Sequence, residues 1–235
     1  LHKEGDTMNR EYQFRVKGNA DQIREILGLL DGEIQTVATD AEVVNITWKP
    51  NTDNDPLQKV ADILKEGNYS EGLSLLELFL SDDPTNTTVL FNLGRAYSDQ
   101  GQWDRSVELL RQLIEKEPQH TNGLVALGIA LLRANRTDEG IYELQTAISQ
   151  EPENVWAQHN LGVGLTQAGR YPEALEHLRQ AVELKADNAA AWLDYGQTLQ
   201  LNGDKPEAHK AYRKVIDLDE SSEIAERART ALKEK

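Results

Sequence analysis

Four glycines, Gly94, Gly128, Gly162 and Gly196, follow one another at intervals of 34 residues, and their surroundings keep step. Leu93, Leu127, Leu161 and Tyr195 precede them by one position, while Leu110, Leu144, Leu178 and Tyr212 follow by sixteen. Tyr97, Leu131, Leu165 and Leu199 follow by three. Small and large apolar residues held in phase at this period imply units that cannot bury their own faces and must stack on their neighbours.

The phase lays out repeats beginning near residues 53, 87, 121, 155 and 189. In each, an apolar helix of about a dozen residues leads through a turn to a second helix. Gly67, Gly101, Asn135, Gly169 and Gly203 mark the turns, being residues that accept left-handed backbone after a helix end. Pro172 and Pro206 stand where the second helix starts, a place that tolerates a missing N–H. Pro84, Pro118 and Pro152 punctuate the exits, and Asp55-Pro56 opens the first helix as cap then proline.

These residues resemble the tetratricopeptide repeat (TPR) family, whose pattern runs W-x2-L-G-x2-Y, then small, large and small residues and a proline. Trp192, Tyr195-Gly196, Leu199, Gly203, Ala208, Tyr212 and Val215 occupy the motif positions of the last repeat, and four repeats fit well. The first departs from the pattern, with Val60 where glycine belongs, although Ile63, Gly67, Tyr69, Gly72, Leu76 and Pro84 keep the phase. Leu57, Val60, Ala61 and Leu64 therefore suit either the first repeat or the preceding unit. Ile224, Ala228, Ala231 and Leu232 form an apolar stripe on a charged segment, the pattern of a terminal helix with a wet outer face.

Residues 11–50 stand outside the period. Tyr12, Phe14 and Val16 alternate with polar residues as a half-buried strand does. Asn19 then reads as a helix N-cap with Gln22 as its capping-box partner, Ile23, Ile26, Leu27 and Leu30 as the apolar stripe and Gly32 as the stop. Two strands follow over 33–39 and 42–49, turning near Asp40-Ala41. This order loosely resembles the front of a heavy-metal-associated, ferredoxin-like domain. That family binds metal through a cysteine pair in its first loop; here the loop reads Gly18-Asn19-Ala20-Asp21, so the metal function does not carry over.

The fold class expected is mainly α: a right-handed α-solenoid of TPR hairpins behind a small βαββ domain. The expected divisions are a disordered tail or expression remnant over 1–10, the small domain over 11–50, five repeats over 53–222 and a capping helix over 223–235. A unit as small as 11–50 buries little alone, so it is expected to pack on its neighbour or to self-associate through a sheet edge.

A net charge of -15 opposes nucleic acid and anionic membrane surfaces, which gather Lys and Arg. No cysteine is present, which removes disulfides, zinc–thiolate sites and thiol nucleophiles. No run approaches the roughly twenty apolar residues of a membrane span. The expected compartment is cytoplasmic, unless a targeting segment has been removed from ahead of Leu1.

In the TPR family the first helices line a concave wall, and positions 2, 5, 6, 9, 12 and 13 of each repeat are expected to face it. That stripe contains Phe91, Asn92, Arg95, Asn122, Arg133, Trp156, His159, Asn160 and Gln197. Amides suit the backbone of an extended peptide, arginines its carboxylates, and an exposed tryptophan an apolar anchor. Asn92 and Asn160 stand where the repeats of O-linked N-acetylglucosamine transferase carry an asparagine ladder, which Ala126 and Asp194 interrupt here. The lysine, asparagine and arginine set of TPR receptors for chaperone tails is absent.

Catalytic motifs are missing. The five histidines are scattered, Gly162-Val163-Gly164 falls inside a repeat helix, and Asp53-Asn54-Asp55 lacks the remainder of a calcium loop. The chain is therefore expected to be a non-enzymatic scaffold or adaptor without cofactor or metal, holding a peptide or partner protein, one with acidic groups included. The alternative is a structural protein that self-assembles through the array ends or the front sheet into a homo-oligomer.

Overall fold

The computed structural model describes residues 10–17, 19–40, 43–51 and 55–233, and the chain divides into two compact units, Leu1–Glu117 and Pro118–Lys235. In the first unit, strand β1 (Tyr12–Lys17), helix α1 (Ala20–Leu27), and strands β2 (Gly32–Asp40) and β3 (Val43–Pro50) precede helices α2 (Pro56–Lys65), α3 (Tyr69–Asp82), α4 (Thr87–Asp99) and α5 (Trp103–Lys116). The sheet is antiparallel in the order β1-β3-β2. Strand alternation puts Tyr12, Phe14, Ile46 and Trp48 on one buried face. Against that face lies Phe79 of α3, its ring centroid 5.1 Å from Tyr12, 5.6 Å from Phe14 and 6.5 Å from Trp48, all edge-on. Edge-to-face packing of this kind adds about 0.5–1.5 kcal/mol per pair beyond simple burial.

Three local expectations change. Helix α1 stops at Leu27, with Gly28 as a right-handed C-cap, and Leu30 reaches the core from the following turn. The apolar phase thus outlasts the helix. Gly32 opens β2, where a Cβ would stand 2.1 Å from the Trp48 ring, so this glycine makes room for the tryptophan. Asn19 does cap α1, but through the Asp21 N–H, donated to its Oδ1 at 2.8 Å. The turn expected at Asp40-Ala41 lies, from residue 41 on, outside the described residues, as does the tail before Arg10.

Helix α2 packs on α3, where a Cβ on Gly72 would meet Leu64 at 2.4 Å. It is the first helix of a pair whose second, α3, also roofs the sheet. In α4 and α5 the roles are exchanged, the glycine standing on the first helix, where a Cβ on Gly94 would meet Leu110 at 2.7 Å.

The second unit comprises α6 (Thr121–Arg133), α7 (Thr137–Gln150), α8 (Val155–Gln167), α9 (Tyr171–Leu184), α10 (Ala189–Leu201), α11 (Lys205–Leu218) and α12 (Glu223–Lys233). Gly128 admits Leu144 and Gly162 admits Leu178, with hypothetical Cβ contacts of 2.5 and 2.4 Å; Gly196 admits Tyr212 at 2.6 Å. The five turn residues all take positive φ, from 58° at Asn135 to 92° at Gly203. At Asn135 the helix closes as a Schellman motif, Arg136 N–H donating to Leu131 O and Asn135 N–H to Leu132 O. Asn154 and Asn188 cap α8 and α10 by accepting from the N–H groups of Ala157 and Ala191. Ala228, Ile224, Ala231 and Leu232 of α12 pack on the apolar cluster of α10 and α11. No helix among the described residues is long and apolar enough to cross a membrane.

Candidate functional site

In the first unit, Asn92 and Arg95 of α4 line a hollow of about 290 Å³ together with Lys65, Tyr69 and Asp99. The Arg95 guanidinium lies 5.6 Å from the centroid of the Phe91 ring, an attraction that holds the exposed cation on an apolar seat. Lys65 reaches Asp62 at 3.1 Å, an exposed pair that is easily exchanged for another carboxylate. Two cations and an amide thus front one hollow. Lys65 escaped the sequence stripe because Val60 obscures the phase of the first repeat, and Tyr69 because it opens a second helix, α3.

In the second unit the predicted residues part company. Asn122 and Arg133 are exposed at the two ends of α6, separated by eleven positions and therefore by roughly 16 Å along the helix axis. On α8, Trp156 is 60% exposed. Asn160, one turn on, donates from Nδ2 to Trp156 O at 2.8 Å, which leaves its carbonyl oxygen and a second N–H for other partners.

His159 is a correction. It is buried, and its Nε2 lies 2.7 Å from Asp194 Oδ2 of α10. The other ring nitrogen, Nδ1, is buried and has no hydrogen bond among the described residues. The physical reason is geometric: repeat position 5 turns inward, so Val125, His159 and Leu193 are buried, while Phe91 at the same position stays half-exposed. Asp194, the break in the asparagine ladder, is spent on the same seam. Further along it the hydroxyls of Thr166 and Thr198 lie 2.9 Å apart. Sequence reasoning had one signal for this, an acid 35 residues after a histidine in an array of period 34.

Behind α8, buried Gln158 is fully engaged: His177 Nδ1–H donates to its Oε1 at 2.8 Å, and its Nε2 donates to Pro152 O. Burial pushes the His177 pKa down, against the opposing pull of Glu176 and Glu173.

Gln197 opens on a larger hollow, about 550 Å³, between α10 and α12, with Gln200, Leu201, Glu226, Arg227 and Thr230 in its walls. Leu201 is 56% exposed there. The part played by α12 went unseen because its apolar stripe alone was read. Glu226, Arg227 and Thr230 form the wet side of that helix. Among the described residues no three acidic or imidazole side chains gather as a metal ion requires.

Two models described as tetratricopeptide repeat match the chain, one over residues 64–127 and one over 153–221. Comparison with curated proteins finds no match. Among solved structures, TTC0263, a thermophilic TPR protein of Thermus thermophilus, is 21% identical over 75% of this chain and 97% of its own, with a TM-score of 0.66. MamA residues 41 to the end, from Desulfovibrio magneticus RS-1, is 20% identical over 70% of this chain and 93% of its own, with a TM-score of 0.62. YrrB, described as a TPR protein with an unusual peptide-binding site, is 17% identical over 74% of this chain and 90% of its own, with a TM-score of 0.59. At these identities the likeness is one of fold.

Proposed function

The array of this chain is built of tetratricopeptide repeats, and from that premise we propose a non-enzymatic interaction scaffold that holds an extended peptide or a peptide-like segment of a partner protein on the first-helix faces of its repeats. Residues 53–222 act as five repeats, 223–235 as their cap and 11–50 as an attached small domain. The observation that carries the reading is Trp156, a large aromatic side chain 60% exposed on a helix face with the Asn160 amide beside it. Exposing an indole forfeits a large apolar burial, and a tryptophan of this kind is the usual anchor of a peptide contact. The peptide-binding site named in the YrrB description supports the same use of the fold.

The chemistry of the partner follows from the cations. Arg95 and Lys65 front one hollow, and Arg133 is exposed on α6. In a chain of net charge -15 these are local reversals of sign, suited to a segment bearing carboxylates. The binding residues proposed are Phe91, Asn92, Arg95, Asn122, Arg133, Trp156, Asn160 and Gln197, with His159 withdrawn to the repeat seam. The test is affinity capture from lysate of the source cell, read by mass spectrometry, with wild type beside a variant carrying Arg95→Ala, Arg133→Ala and Asn160→Ala. A partner retained by the wild type and lost by the variant supports the reading. Partners captured equally by both would sink it.

A further inference from the structure

Behind α8 and α9 the seam between successive second helices is closed by His177, which bonds to Gln158 at 2.8 Å, while Gln158 holds Pro152 O with its Nε2. One repeat of 34 residues later, Trp192 stands in the place of Gln158 and Ala211 in that of His177. The indole N–H of Trp192 keeps the bond to the loop, donating to Ala186 O at 3.0 Å, but the alanine is too short to close the gap. A hollow of about 390 Å³ remains, with Trp192, Tyr195 and Ala211 in its lining and α9 and α11 on either side. The Trp192 and Tyr195 rings have centroids 6.1 Å apart and planes at 64°, which leaves faces and edges for a third ring. Three positions apart, they share one side of α10, whereas Gln197 and Leu201 lie on the opposite side, in the hollow shared with α12.

The charge changes with the shape. At the earlier seam the rim positions are held by Gln145, Ser149, Glu173, Glu176 and Gln180, two carboxylates and no cation. Here the same positions are Arg179, Glu183, Glu207, Lys210 and Lys214, two carboxylates and three cations. Arg179 reaches Glu183 at 3.7 Å and Lys210 pairs with Glu207, both exposed pairs that readily exchange one carboxylate for another. Lys214 is half-buried and has no ion pair among the described residues, so its stem is packed and its ammonium is left for a partner. Burial, with the nearby Glu207, Asp204 and Glu183, raises the Tyr195 pKa against the pull of Arg179, and the phenol keeps its proton as a donor.

We infer that this cleft docks an acidic segment of a partner protein that lays one aromatic side chain on Trp192 and Tyr195. Charge complementarity selects the occupant. The surplus cation opposes a basic segment, and the cations come from both sides, Arg179 from α9 and Lys210 and Lys214 from α11, so carboxylates flanking the aromatic residue each meet one. The rings supply the apolar anchor that two exposed ion pairs alone would lack. The inference concerns the side of α10 turned away from the first-helix face, and it does not depend on the peptide-face reading.

The test is a titration of the isotopically labelled full chain with the peptide acetyl-Glu-Glu-Phe-Glu-Glu-amide, followed through the tryptophan indole N–H resonances up to about 2 millimolar, a range that covers weak docking. Trp192→Phe identifies the Trp192 resonance, and Trp156 reports the first-helix face in the same spectrum. The Trp192 resonance is expected to move and to approach saturation. The Kd should rise roughly tenfold or more in Ala211→His, which refills the gap as His177 does, and in Lys214→Glu, which alters the rim without touching the rings. Arg95→Ala should leave it unchanged, and peptides with alanine for phenylalanine or lysine for glutamate should bind as weakly as the two cleft variants. A Trp192 resonance that stays in place, even while Trp156 moves, overturns the inference. So do a Trp192 shift that follows the lysine peptide equally, binding that persists in both cleft variants, and a shift produced only by raising the chain's own concentration, which would give the cleft to a second copy.

Discussion

The sheet core and the repeat interlocks are both apolar, yet they are built on opposite principles. In the sheet, four aromatic rings from three separate elements, Tyr12, Phe14, Trp48 and Phe79, meet once and in a geometry found nowhere else among the described residues. In the array, one glycine admits one large side chain sixteen positions later, at Gly94, Gly128, Gly162 and Gly196 in turn. A unique core concentrates its stability in a few large contacts, whereas a repeated one spreads it over near-equal units. The consequence is a difference in what a single substitution can do.

The largest effect is expected at Phe79, where the two principles meet. Phe79→Ala should cost about 3–5 kcal/mol, because it removes the roof of the aromatic core and leaves a cavity. Urea unfolding followed by fluorescence would show it as an earlier transition for the buried Trp48. A shift no larger than that of a surface substitution would show that the sheet does not depend on α3.

Within the array, Gly162→Ala sharpens the comparison. Its Cβ would stand 2.4 Å from Leu178 Cγ, an overpacking expected to cost about 1–3 kcal/mol. Gly169→Ala is the control for backbone alone, since at φ +73° a Cβ there meets nothing within 4 Å. It should cost roughly 1–2 kcal/mol, the penalty of left-handed backbone. Thermal melts decide the matter: a Gly162→Ala variant that melts with the wild type would mean that close approach of the helices is not what the repeated glycine secures.

The smallest effect concerns His177. Its folded pKa lies below the ordinary histidine value of about 6.5, through burial. The unfolded chain therefore takes up the proton more readily. This group's contribution is complete above the unfolded pKa and is lost as pH falls from there toward the folded pKa. Between pH 7 and pH 5 the wild type should lose slightly more thermal stability than His177→Gln, by roughly a degree or two. A variant with the steeper loss would reverse the sign and contradict the burial account.

Periodicity made the array readable because each interlock and each turn is a local event repeated. Asn135 and the four turn glycines all take the positive φ expected of them. Long-range contacts were not readable. Gly32 looked like a helix stop because Leu30 prolongs the apolar phase, while its actual task, clearing the Trp48 ring, joins positions sixteen residues apart across a sheet. Phe79 kept the phase of a repeat helix, and nothing local announces that it covers a sheet. On the candidate faces, exposure was readable for Trp156 and Arg95. The burial of His159 was not, since it depends on Asp194 in the next repeat.

The central claim is that the first-helix faces recognise an extended acidic segment, and selection from a random displayed peptide library tests it most directly. The chain should enrich peptides with spaced carboxylates and an apolar residue. The enriched peptides, titrated by fluorescence anisotropy, should bind a Trp156→Ala, Arg95→Ala variant at least tenfold more weakly, about 1.4 kcal/mol or more. No enrichment, or enriched peptides that bind this variant as tightly as wild type, would contradict the account.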